Sequence, residues 1–171
     1  MSTARITLAL ILLTALSFSE PSFARENNTS IVERTVYGGS MEPLLKNKAT
    51  ISVQLVDCQE KAYPWIPPKR GDIVVFNSGA YKKHPLIKKV AAMGGDTLKL
   101  GPKGTVLVNG HAVIDPSGKK YTVIPKREGM INLYAGTLPK NTYLVLGNAG
   151  TIDSSRFGLI SCEEIIGIVK R

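Results

Sequence analysis

Three short segments carry residue types able to do covalent chemistry. The first is Tyr37-Gly38-Gly39-Ser40-Met41-Glu42-Pro43-Leu44. Paired glycines ahead of a serine permit sharp backbone geometry and leave the hydroxyl uncovered. Their amides could also point at a developing oxyanion, although the same residues equally describe a flexible turn. The second runs Leu86-Ile87-Lys88-Lys89-Val90-Ala91-Ala92-Met93-Gly94-Gly95-Asp96. Alternation along a strand turns one lysine of the pair to solvent and the other to the apolar face. An ammonium forced inward sheds its proton more readily, since desolvation lowers the pKa by as much as ~3–5 units. A neutral amine is then a usable general base near neutral pH. The alternative is a basic edge strand with both amines in water. The third segment, residues 147–158, is rich in small polar groups and holds Asp153 and Arg156, a pair able to rivet a loop. Alone it reads as a surface loop.

The elements that would position these groups are short strands. Thr50 to Val56 alternates with period two, as a half-buried strand does. Ile73–Phe76 is a buried strand; Pro85–Met93 is another, continued by Thr97–Leu100. Asp57 to Arg70 contains Pro64, Pro67 and Pro68 and reads as a loop. Thr105–Val108, Asn109-Gly110 and His111–Ile114 form a hairpin, because Asn-Gly accepts the positive φ values of a type I′ turn. Tyr121–Ile124, Tyr143–Leu146 and Ile165–Val169 complete the strands, and Cys162–Ile166 alone has helical character. Many short strands between Gly and Pro turns predict a mainly β fold, an antiparallel sandwich or closed barrel.

At 171 residues with 43% hydrophobic content, the chain suits one domain and excludes wholesale disorder. No apolar run reaches the ~18–20 residues of a spanning helix, which excludes a polytopic membrane protein. Lys and Arg outnumber Asp and Glu by 22 to 13, a net charge of +9 that would attract nucleic acid, anionic lipid or acidic glycans alike. Arg5 precedes the apolar stretch Ile6–Leu16, and Ser22-Phe23-Ala24 supplies small residues at the −3 and −1 positions. Residues 1–24 therefore read as a secretory signal cleaved after Ala24, or alternatively an uncleaved anchor, with 25–171 as the functional domain. Cys58 and Cys162 could close one disulfide in an oxidising compartment or remain two small buried hydrophobes. Without a histidine cluster they make no metal site. Asn27-Asn28-Thr29-Ser30 contains glycosylation sequons, which matter only in a eukaryotic secretory route.

In order and spacing the segments resemble the type I signal peptidases, a family of Ser–Lys serine peptidases. The matching residues are Ser40-Met41-x-Pro43, Gly71-Asp72-Ile73-Val74-Val75-Phe76, Ile87-Lys88-Lys89-Val90 with Gly95-Asp96, and Gly147-Asn148 with Asp153-Ser154-Ser155-Arg156-Phe157-Gly158. The resemblance extends from about Val36 to Val169, and the compact domain is most like the TraF-like conjugative-transfer branch that matures pilin subunits. It implies a coiled antiparallel β-barrel or sandwich, Ser40 as nucleophile and Lys88 as general base. Lys89 takes the place of a usual arginine. Asp153 and Arg156 resemble the structural acid and base, with Ser155 as an extra residue between them. Thr151 stands where a serine often holds the lysine amine, and Gly38 where some members carry an oxyanion-assisting serine. Gly38 and Gly39 are thus left to help through their backbone. Gly94 replaces a usual proline and Asn148 a usual aspartate. Shallow pockets for small residues would be lined by Met41, Pro43 and Leu86. Neither cofactor nor metal is implied. The implied substrate is a membrane-anchored precursor such as a prepilin, processed at the periplasmic surface of the inner membrane beside a conjugation or type IV secretion apparatus, or alternatively the leader peptides of exported proteins in general. Water or the substrate's own N-terminus would resolve the acyl-enzyme, giving a linear or a cyclic product.

Three other readings compete. A histidine-based triad would need His84 or His111, which precede a proline and follow a hairpin turn. A basic exported binding module would use Trp65 with Lys61, Lys69 and Arg70. A catalytically dead scaffold is disfavoured by the presence of both Ser40 and Lys88, and no nucleic-acid partner is expected.

Overall fold

A computed structural model describes residues 30–79 and 81–170 of the chain. The expected signal segment 1–24 and Asn27-Asn28-Thr29 lie outside the described residues. Among the described residues no helix is long and apolar enough to cross a membrane.

The strands are β1 (Ile31–Thr35), β2 (Thr50–Leu55), β3 (Ile73–Ser78), β4 (Tyr81–Met93), β5 (Thr97–Leu100), β6 (Val106–Val108) and β7 (His111–Ala112). A short helix α1 (Glu128–Leu133) precedes β8 (Gly136–Thr137) and β9 (Thr142–Leu146). Then come α2 (Ser154–Phe157), β10 (Ile160–Ser161) and β11 (Ile165–Val169). Seven strands form one antiparallel sheet in the order β1-β2-β11-β3-β4-β9-β10, and four form a second in the order β7-β6-β5-β8. The mainly β, antiparallel expectation holds; the closed barrel does not, since neither sheet closes on itself among the described residues.

Burial explains the strand patterns. β2 alternates exposed and buried residues at its start, whereas β3, flanked by β11 and β4, is buried at Ile73, Val74, Val75 and Phe76. Val74 and Phe76 enter one core cluster with Val90, Val145 and Ile160, while Ile73 and Val75 enter another with Val36, Met41 and Val53. A central strand covered on both faces reads as a continuous apolar run. Each fully buried side chain of this size contributes roughly 1.5–3 kcal/mol. A third cluster, with Ala92, Leu98, Tyr121, Ile131 and Leu146, joins the small sheet and α1 to β9.

The Asn109-Gly110 hairpin forms between β6 and β7 with φ values of 51° and 80°. Tyr121–Ile124 is not a strand; it makes a single bridge, Thr105 to Thr122, and Tyr121 is buried among side chains instead. The helical character expected for Cys162–Ile166 shrinks to a 3-10 turn, Cys162–Glu164, capped reciprocally by Ser161 and Glu164. Cys58 and Cys162 are joined in a disulfide. β1, β8, β10, α1 and α2 have no counterpart among the sequence-based expectations. β1 is mostly exposed, and the two helices have only six and four residues.

Candidate active site

Lys88 sits in the interior of β4, opposite Val74 of β3, with Val90 two residues on. Val74 and Val90 beside it on the sheet are apolar, and the residue is 3% exposed. The amine nitrogen lies 2.7 Å from Ser40 Oγ and donates to the Ile87 carbonyl at 2.8 Å. Burial pulls Lys88 down from an ordinary lysine value to about 8, and the charge of Asp153 opposes that shift. Near neutral pH a useful fraction of the amine is therefore uncharged and faces a hydroxyl. Lys89 turns the other way, and its ammonium donates to the Ile114 carbonyl at 2.8 Å. The strand's alternation separates the two lysines into an inner and an outer one.

Ser40 lies in the turn between β1 and β2, which Asn47 and Glu42 organise. The Gly38 N–H donates to Asn47 Oδ1 at 3.0 Å, and the Asn47 N–H to Glu42 Oε1 at 3.1 Å. Gly38 has φ 91°, a conformation favouring glycine, so its role is to shape the turn. Because its amide is already bonded, it is not the oxyanion donor anticipated from the sequence. The Ser40 and Gly39 N–H groups meet no acceptor among the described residues.

The end of β9 clamps this turn. The Asn148 N–H donates to the Ser40 carbonyl at 2.7 Å, and Asn148 Nδ2 donates to the Glu42 carbonyl at 2.7 Å. Gly147 separates the parts: a Cβ there would stand 2.7 Å from the Ser40 carbonyl oxygen, 2.9 Å from Thr151 Oγ1 and 3.1 Å from Lys88 Cδ. Only a hydrogen fits.

Behind Lys88 lies a buried polar network. Asp153 is fully buried and caps α2, accepting the Ser155 N–H at 3.0 Å and the Ser155 hydroxyl at 2.7 Å. The Tyr121 hydroxyl donates to its second oxygen at 2.8 Å, and the Gly147 N–H at 3.3 Å. Burial pushes the Asp153 carboxyl up, while the bonds from Ser155, Tyr121 and Gly147 oppose that rise. Ser154 completes the dock by accepting the Val145 N–H at 2.9 Å, on β9 just past its short pairing with β10.

The expected Asp153–Arg156 rivet is absent. A helix turns ~100° per residue, so the extra Ser155 takes the inward place and Arg156 swings outward. Its guanidinium stands 5.7 Å from the Tyr81 ring centre. Arg127, which no motif singled out, serves the loop instead and donates to the Thr151 carbonyl at 2.7 Å. The Thr151 hydroxyl donates to the Asn148 carbonyl at 2.7 Å, a loop contact in place of the expected hold on the lysine amine. Met41 is also corrected: at 1% exposure it is a core residue beneath the turn and not a pocket wall. Pro43 is exposed beside it, and Leu86 is half-buried on the lysine's strand, packed against the Phe76 cluster.

A second turn, residues 114–120, abuts the site. Its Asp115 carboxylate takes the Ser117 and Lys119 N–H groups, while Lys89 holds the Ile114 carbonyl. His84 and His111 are exposed. The alternative basic patch is depleted: Trp65 is half-buried against the Phe76 cluster, and Arg70 Nε lies 3.5 Å from Asp96. No cluster of potential metal ligands occurs among the described residues.

The family model described as signal peptidase, peptidase S26, matches residues 5–171. The chain belongs to the signal peptidase family. Signal peptidase I of Pseudomonas aeruginosa is 29% identical over 114 residues, covering 63% of this chain and 39% of that protein. Signal peptidase I of Leptolyngbya laminosa is 27% identical over 146 residues, covering 78% of this chain and 64% of the relative. The chain thus spans less than two thirds of either relative's length. A crystal structure of a signal peptidase I from Enterococcus faecalis V583 superposes with a TM-score of 0.45 at 21% identity, covering 61% of this chain and 98% of that one. Within this signal peptidase family member, Tyr121 and Arg127 are the supports that local sequence patterns do not reveal.

Proposed function

We propose that the chain is a serine endopeptidase of the signal peptidase type, with Ser40 as nucleophile and Lys88 as general base. The contact of 2.7 Å between a buried lysine amine and a serine hydroxyl carries this reading. Neutral Lys88 takes the Ser40 proton as Oγ attacks a peptide carbonyl. The Ser40 N–H is available to the tetrahedral oxyanion. As the intermediate collapses, the C–N bond breaks and the lysine ammonium returns the proton to the leaving amine. Water then attacks the acyl-enzyme, losing a proton to Lys88; the acyl C–Oγ bond breaks and the lysine ammonium returns that proton to Ser40. Asp153, held by Tyr121 and Ser155, is a positioning residue whose negative charge limits how far the lysine's pKa falls.

The substrate we propose is a membrane-anchored exported precursor, met at the periplasmic face of the inner membrane. The basic surface favours such a lipid boundary. Within that class, a conjugative prepilin is the finer proposal, resting on the compact form of the domain. A pilin cyclised by attack of its own N-terminus would be one water lighter than the linear product, which mass spectrometry reads directly. Ser40→Ala and Lys88→Ala should each abolish cleavage of a leader-bearing precursor. Full processing by either variant would overturn the reading.

A further inference from the structure

Between the turn before α1 and helix α2 lies a cavity of about 400 Å³, lined by Lys126, Arg127, Met130, Ser155 and Arg156. Three cations from two separate elements face one space, and no carboxylate lines it. None of the three has an acidic partner among the described residues. Glu128, their neighbour in sequence, is turned toward Gly104, where a Cβ would come 3.1 Å from its Oε1. Arg127 is anchored by the Thr151 carbonyl and Arg156 rests over the Tyr81 ring, so both guanidinium groups have defined positions while further N–H donors remain. Ser155 keeps its hydroxyl proton on Asp153 and forms the floor of the cavity.

We propose that this cavity is a binding site for a phosphate group, either free phosphate or the headgroup phosphate of an anionic lipid. Guanidinium forks match phosphate oxygens in pairs, and a lysine adds a mobile point charge. Convergent like charges repel, and an anion among them relieves that repulsion. Met130 gives the cavity an apolar wall, suited to the carbon substituent of a phosphodiester. The proposal does not rest on the serine chemistry, although Ser155 on the cavity floor also bonds Asp153.

The test uses the full chain with two probes. Inorganic phosphate is titrated by calorimetry and thermal melting, since a ligand of the native state raises Tm. Vesicles of phosphatidylcholine, with and without phosphatidylglycerol, are tested by flotation. Paired with them are K126Q/R156Q in the cavity and K61Q/K140Q on remote exposed surface, which remove the same charge. Saturable phosphate binding, weakened about tenfold or more by K126Q/R156Q and unchanged by K61Q/K140Q, is expected if the ligand is free phosphate. Binding of phosphatidylglycerol vesicles with the same variant pattern, without saturable phosphate binding, assigns the lipid headgroup. Met130→Glu, which adds a carboxylate to the lining, should abolish either response and covers the case of a cavity variant that does not fold. Equal weakening by the two double variants, retained binding in Met130→Glu, or no response to either probe overturns the proposal.

Discussion

Beside the end of β9, Lys88 and Asp153 are buried, the amine on Ser40 Oγ and the Ile87 carbonyl and the carboxylate on Tyr121, Ser155 and Gly147. In a second region the loop after β2 and the turn before β11 are joined by Cys58–Cys162, with Trp65 and Cys162 in an apolar cluster. The first region takes a cation and a carboxylate out of water. The second buries hydrocarbon and a covalent link. The contrast separates the groups proposed to do chemistry from those that keep the domain folded. Desolvation that depresses Lys88 is unfavourable to folding, and apolar burial elsewhere offsets that cost.

The sharpest way to break this comparison is at the lysine. Lys88→Met should lower turnover about 10³-fold or more, yet raise stability by roughly 1–3 kcal/mol at pH 7, because an unfavourable buried cation is gone. Since the folded pKa of about 8 lies below the ordinary 10.5, the native state binds fewer protons than the unfolded chain between those values. Wild-type stability contributed by this group therefore rises from pH 8 to 10.5, and the advantage of the variant shrinks over the same window. Melting curves across pH check both signs.

Next in size is Gly147→Ala. Its methyl would press the Ser40 carbonyl, and a shift approaching 1 Å should reduce kcat by about 10²-fold. Activity should also climb with pH, roughly tenfold per unit below the Lys88 pKa and flat above it, with the break near 8 in kcat/KM. At the disulfide, Cys58→Ser with Cys162→Ser should remove about 2–5 kcal/mol of stability, with turnover per folded molecule unchanged. A large loss of intrinsic turnover there would erase the distinction between the two regions. Smallest is Lys89→Ala, which should alter turnover less than about threefold, as its contact is with an exposed turn.

Much of the site was legible because strand period carries it: alternation in Ile87-Lys88-Lys89-Val90 implies one inner and one outer lysine, and the geometry makes Lys88 the inner one. The Asn109-Gly110 turn was readable for a similar reason, since its backbone demand is local. What failed to show depends on contacts distant in sequence. Tyr121 reaches Asp153 across 32 positions and Arg127 reaches Thr151 across 24, with no local pattern marking either. Arg156 was misplaced because one inserted serine rotates a short helix. Met41 looked available in a polar turn, and only packing against Val36, Ile51 and Ile73 reveals its burial.

The turn at residues 114–120 has a practical consequence. It grips the strand of the inner lysine through Lys89. Transplanting this hairpin from a relative would not be a neutral graft: lengthening it by even one residue would pull on the strand that carries the buried amine.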